Sequence, residues 1–210
     1  CAGDGYLSNG LYKGIASDAS LVLLKVMDDE GKITTGNIAR ALQWIGKNHK
    51  KFNIRLVNMS LGDDATGSWK SSPVGLLAEK LIEKGITVVA AVGNDDKASI
   101  KPPASSPNVI AVGGWDDNNE LNGENKLYHS SFGRTADALH KPELIANAIW
   151  IAAPILPGTK EQEQAKLLYE LENTPGEHLQ KKILTSANKT CIAVEEIEKN
   201  DVTFWRESIK

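Results

Sequence analysis

Cysteine is scarce. The chain has two in 210 residues, Cys1 and Cys191, too few for a disulfide framework and wrongly spaced for a zinc site. They read as free thiols. Long apolar runs are also missing: nothing approaches the ~18–20 residues of a membrane-spanning helix, and no basic-then-apolar leader opens the chain. The chain therefore reads as soluble, with no membrane partner and an unknown compartment. Excess positive charge is absent too, since 24 Lys and Arg against 27 Asp and Glu leave a net charge of −3. Without a basic field, no nucleic-acid partner is expected.

Three further absences narrow the chemistry. Gly3, Gly5 and Gly10 follow no strand and precede no Gly-Lys-Ser/Thr word, so they do not make a phosphate loop. The four histidines, His49, His129, His140 and His178, lie scattered, without ligand spacing. The run Asp28, Asp29, Glu30 reads as a solvated turn rather than a calcium site. No metal and no cofactor is expected from these residues, with calcium in a parent protein left open.

What is present is ordinary globular material, 41% hydrophobic and 24% charged, with 18 Gly and 8 Pro, enough for one well-built core. Residues 20 to 114 alternate apolar runs of strand length with stretches of helical spacing. The nearly continuous apolar run from Leu21 to Met27 predicts a strand covered on both faces. After the Asp28–Gly31 turn, Thr34 and Thr35 cap a helix whose apolar positions Ile38, Ala41, Leu42 and Ile45 fall on one face. Ile54 to Met59 predicts a second strand. A helix from about Pro73, with Leu76, Leu77, Leu81 and Ile82, stops at Gly85. Ile86 to Ala91 and Val109 to Val112 predict two more strands.

This rhythm gives an α/β fold with a parallel sheet joined by right-handed crossovers. Sites in such sheets lie beyond the carboxyl ends of the strands. Beyond Pro157 the chain turns charged and helix-rich. Thr159 with Gln162, and Thr174 with Pro175 and Glu177, read as helix starts, and a further helix is expected over Ile192 to Lys199. The organisation expected is a core over residues 1–158 and a helical insertion or peripheral segment over 159–210.

Two segments at adjacent strand ends carry chemistry. One is Val57-Asn58-Met59-Ser60-Leu61-Gly62, the other Val88-Val89-Ala90-Ala91-Val92-Gly93-Asn94. Small residues before a polar amide let a substrate approach the backbone closely, and the Asn94 amide can donate to a developing oxyanion. The spacing fits equally well an Asn that merely finishes a turn begun by Gly93.

These segments, with Ser105 to Gly114, Ser130-Ser131-Phe132-Gly133 and Lys141-Pro142-Glu143, resemble the middle of the subtilisin-like serine proteases, the subtilases, over roughly residues 1 to 158. The resemblance implies a three-layer α/β fold with a subtilisin-like parallel sheet and the breakdown of peptide bonds in a peptide or protein substrate. It makes Asn94 the oxyanion-hole donor. Ser60, Leu61 and Gly62 become one wall of the primary pocket and a substrate-pairing edge, with Ala91, Val92 and Gly93 as the other wall. Gly31, Lys32 and Ile33 become the opposing edge, so that an extended peptide is sandwiched as an added strand. Asp95 falls at the pocket rim, and Pro102-Pro103 is expected to be cis.

The departures are as informative. Subtilases use Asp, His and Ser in that chain order, and none of the three motifs occurs here. The expectation is a central segment whose triad lies on flanking parts of the parent chain, so that this piece alone is inactive. A second departure is Ala146-Asn147-Ala148, where the family has Ala-Pro-Gly. The rival readings are a non-catalytic peptide-binding or scaffold domain with the same fold, and a doubly wound nucleotide-binding domain.

Overall fold

A computed structural model describes residues 2–118, 126–149, 151, 153–186 and 203. It separates into two compact units, Cys1–Ala152 and Ala153–Lys210. The expected Ile192–Lys199 helix and both cysteines lie outside the described residues.

In the first unit, helix α1 runs Thr35–Asn48 and starts as the sequence predicts, with the Thr34 side chain accepting from the Asn37 backbone N–H. Strand β1 (Leu56–Met59) follows, then helix α2 (Pro73–Ile82) and strand β2 (Thr87–Ala91). Ser72 caps α2 by accepting from the N–H groups of Val74 and Gly75. At the other end Gly85, with φ 80°, swings the chain out of the helix toward β2, a conformation glycine adopts without a Cβ penalty. Strand β3 (Ile110–Asp116) is longer than the Val109–Val112 run predicts. Strands β4 (Lys126–Leu127), β5 (Gly133–Arg134), β6 (His140–Lys141) and β7 (Leu144–Asn147) complete the unit.

β1, β2 and β3 are parallel neighbours, β7 joins β3 in parallel, and β4 pairs β3 antiparallel at its far end. β5 and β6 form a separate two-stranded ribbon. The sheet is mainly parallel, and the α/β class is as the sequence predicts. Burial alternates along β1 and β2. Val57, Met59, Val88 and Ala90 point into a core shared with Ile38, Leu42 and Ile45 of α1 and Val74, Ala78 and Leu81 of α2. Period two in the strands meets period 3.6 in the helices across that layer.

One expected strand does not form. Leu21–Met27 makes no ladder; among the described residues it pairs with other backbone through one antiparallel bridge, Met27–Ile33. Leu23 is 85% exposed, whereas Leu24 packs on the core and the Asn37 side-chain amide donates to the Val26 carbonyl. The apolar run announces a covered strand, but among the described residues no strand pairs with it, so one side stays in solvent.

The expected cis bond is present at Pro102-Pro103, and Lys141-Pro142 is cis as well. Where the family pattern has proline, Asn147 continues β7 opposite Trp115. It accepts from the Trp115 indole N–H and donates to the Asp117 carboxylate. The seam between β3 and β7 is further tied by buried Lys141, which donates to the Val109 carbonyl and pairs with Glu143. The Glu143 carboxylate accepts from the Ala111 N–H at 2.8 Å.

α2 supplies a prediction that runs against helix propensity. A Gly→Ala change inside a helix ordinarily stabilises by ~0.5–1 kcal/mol. At Gly75 an added Cβ would lie 2.6 Å from the Trp69 carbonyl oxygen and 3.2 Å from Ser106 Oγ. Gly75→Ala is therefore expected to destabilise by about 2 kcal/mol, the scale of overpacking, read as a lower denaturant midpoint at constant slope.

The second unit holds α3 (Lys160–Glu172) and α4 (Gly176–Thr185). Thr159 caps α3 as predicted, accepting from the Gln162 N–H while the Gln162 side chain accepts from the Gly158 N–H. Thr174 does not cap α4. Its hydroxyl donates back to the Glu170 carbonyl at 2.6 Å, and Pro175 occupies the cap position with no side-chain bond. A hydroxyl one turn beyond a helix finds that helix's last carbonyls nearer than the next helix's N–H groups.

Candidate functional site

The two segments singled out in the sequence come together at one end of the sheet. β1 and β2 run in parallel with Met59 opposite Ala90, so Ser60, the first residue past β1, and Ala91, the last of β2, lie side by side at a spacing of about 4.8 Å. Past that edge Ser60, Gly62, Gly93, Asn94 and Asp95 are exposed, Leu61 is half-buried against the core, and Val92 is buried with its N–H donating to the Val112 carbonyl.

The turn bearing Asn94 is held from behind. Gly93 adopts φ 116°. Its carbonyl accepts from the Ser131 N–H at 3.1 Å, and the Asp95 carbonyl accepts from the Ser131 hydroxyl at 2.7 Å. One buried serine thus grips the residues on both sides of Asn94, whose own side-chain amide bonds to no described residue and faces solvent. The Asp95 carboxylate accepts from the Lys97 N–H at 2.9 Å, closing the turn that follows.

Gly31, Lys32 and Ile33 form the return arm of a tight loop. The Asp28 carboxylate accepts from the N–H groups of Glu30 and Lys32, Gly31 takes φ 81°, and Ile33 bridges back to Met27. All three residues of the arm lie exposed. The acidic run is thus a turn whose first carboxylate is spent on backbone donors. Among the described residues no group of three His, Cys, Asp or Glu is placed to hold a metal ion, and no helix is long and apolar enough to cross a membrane.

Sequence reasoning passes over Asp63, the residue after Gly62. It is buried; its carboxylate accepts from Thr35 Oγ1 at 2.5 Å and from Ser72 Oγ at 2.6 Å, and its N–H donates to the Pro102 carbonyl at 2.7 Å. Burial pushes its pKa up, but the hydroxyls of Ser72 and Thr35 and the N–H groups of Ala65 and Asp64 outweigh that, and the net shift is downward. Two helix N-termini, those of α1 and α2, converge on this carboxylate, which also favours the ionised form. The only signal in the sequence is an acid between two hydroxyl-capped helix starts, and their distance along the chain hides it.

With the folded-state pKa below the unfolded one, the unfolded chain binds the extra proton in the interval between them, so the contribution of Asp63 is complete above the ordinary carboxylate range of about 4 and disappears below it. Thermal unfolding between pH 6 and pH 2 is expected to show the melting temperature falling as acid passes that range. Asp63→Asn should start lower and lose less over the same interval; parallel curves would contradict the assignment.

The sequence model of the subtilase family, Peptidase_S8, matches residues 1–191, so the similarity continues past residue 158 and through α3 and α4. Serine protease AprX of Bacillus subtilis (strain 168) is 32% identical over 162 residues, covering 71% of this chain and 37% of AprX. Subtilisin BL of Lederbergia lenta is 32% identical over 124 residues, covering 59% of this chain and 41% of that protein. The chain thus spans well under half the length of these relatives. Among solved structures, the S41 psychrophilic protease aligns with a TM-score of 0.55 at 28% identity, covering 68% of this chain and 48% of that one. Sphericase aligns with a TM-score of 0.57 at 25% identity, covering 70% and 49%.

Proposed function

Because the chain belongs to the subtilase family, we propose that it is the substrate- and oxyanion-binding part of a subtilisin-like serine endopeptidase. The observation that carries this reading is the pairing of β1 with β2, which sets Ser60-Leu61-Gly62 beside Ala91-Val92-Gly93 and leaves the Asn94 amide free at the same edge. In this reading the first two segments wall the primary pocket, Gly31-Lys32-Ile33 faces them as the opposing edge, and an extended peptide adds itself between as a strand. Asn94 donates to the oxygen of the tetrahedral intermediate, an interaction that exists only once the carbonyl has been attacked. Asp95 lies at the rim, where an exposed carboxylate discriminates only weakly in favour of a basic side chain.

The nucleophile, the general base and its orienting carboxylate belong to flanking segments of the parent protein, and the chain alone does not hydrolyse peptides. Removal of these groups leaves the oxyanion donor with no attack to stabilise. Two measurements test the reading together. The isolated chain is mixed with a chromogenic peptide and with a serine-reactive phosphonate, and turnover or covalent labelling would sink the division of labour. The coding sequence on either side is then read: a His-Gly-Thr word upstream and a Gly-Thr-Ser word downstream support the protease. A start codon and a stop codon at these ends would favour the non-catalytic peptide binder.

A further inference from the structure

We infer that the Asp63–Thr35 hydrogen bond is a brace that sets the width of the peptide slot. The inference rests on reading the two edges as peptide-binding. Its basis is the position of the bond in the chain. Gly31-Lys32-Ile33 runs through Thr34 straight into Thr35, and Ser60-Leu61-Gly62 runs straight into Asp63, so each edge ends at one partner of the same 2.5 Å contact. The two edges are thereby tied at a common apex, although the partners lie 28 positions apart in the chain.

The apex is anchored on each side. Thr35 is the first residue of α1, with Thr34 capping the helix. The second carboxylate oxygen of Asp63 accepts from Ser72 at the start of α2, and the Asp63 N–H is fixed to the Pro102 carbonyl. Away from the apex no hydrogen bond among the described residues joins one edge to the other: Lys32, Ile33, Ser60 and Gly62 are exposed, and the first edge is held within its own loop, by the Met27–Ile33 bridge and the bonds between Lys32 and Asp28. A strand inserted between two edges needs them about 9.5 Å apart, twice the inter-strand spacing. Edges free to shift relative to each other must be brought into position on binding, at a cost in affinity that a fixed apex removes beforehand. Asp63 and Thr35 are thus positioning residues that act through the edges without touching the peptide.

Replacing Asp63 outright also takes the acceptor from the Ser72 hydroxyl, so the test rests on Thr35. Thr35→Val removes the hydroxyl at nearly constant volume, and Thr35→Ser keeps it. The intact 210-residue chain and both variants are titrated by fluorescence anisotropy with a fluorescein-labelled hexapeptide amide of sequence AAFAAF, and their melting temperatures are recorded alongside. Thr35→Val is expected to weaken binding about tenfold, the scale of one hydrogen bond to a charged group, at a temperature where it is fully folded. Thr35→Ser restores the affinity. If Thr35→Val binds like the parent and only its melting temperature drops, the contact is purely structural and the brace is refuted, while the peptide-binding reading stands. If the unaltered chain shows no saturable binding, that reading fails and the brace falls with it.

Discussion

Asn94→Ala in the complete enzyme is expected to lower kcat by about 10²–10³-fold, the loss subtilisin itself shows when its side-chain oxyanion donor is removed. KM should stay nearly constant, because on the proposed reading the amide meets an oxyanion that exists only in the transition state and its intermediate. Folding should be almost untouched. The Asn94 side chain lies in solvent and bonds to no described residue, and surface changes of that kind move stability by less than about 0.5 kcal/mol. Steady-state kinetics beside a melting curve separates the two effects. A melting temperature that fell with kcat unchanged would make Asn94 a turn residue and nothing more.

Gly93→Ala is expected to damage both properties. The residue sits at φ 116°, a region L-residues occupy only with strain of about 1–3 kcal/mol. The new Cβ would also lie 2.8 Å from Ser131 Oγ, the hydroxyl that grips the Asp95 carbonyl. Relieving that contact means moving the hydroxyl or the turn, and either frees Asn94 from its bracket. The melting temperature should fall by several degrees, at the ~2–4 °C per kcal/mol typical of chains this size, and kcat in the complete enzyme should fall with it. Gly85→Ala is the control: its φ of 80° brings strain, but a Cβ there meets nothing within 4 Å. An equal loss at both glycines would show that backbone strain alone is at work and that the Ser131 contact is irrelevant.

The helices and strands that pack on the core were legible because burial and periodicity coincide in them. Thr34 announces α1, Pro73 and Gly85 frame α2, and the Asn58–Gly62 and Ala91–Asn94 segments fall at neighbouring strand ends because a βαβ unit requires it. Leu21–Met27 misled for a related reason: an apolar run records a tendency to be covered and is silent about whether a covering strand is at hand. Thr174 misled because a hydroxyl between two helices serves either one, and distance decides. Asp63 and Ser131 were invisible for another reason. Their partners are local in space but distant in sequence, with Asp63 28 positions after Thr35 and Ser131 36 positions after Asp95. No periodicity connects them.

The two fastenings of the site differ in kind. Ser131 holds the Asn94 turn through a hydroxyl, an N–H and two carbonyls, all neutral, so neither a proton nor a counterion at ordinary concentration competes for that grip. Asp63 holds its hydroxyls with a full negative charge, which a proton can remove. Acid therefore reaches one fastening and leaves the other intact: on the proposed reading, the grip on the peptide slackens first, while the proposed oxyanion donor keeps its aim.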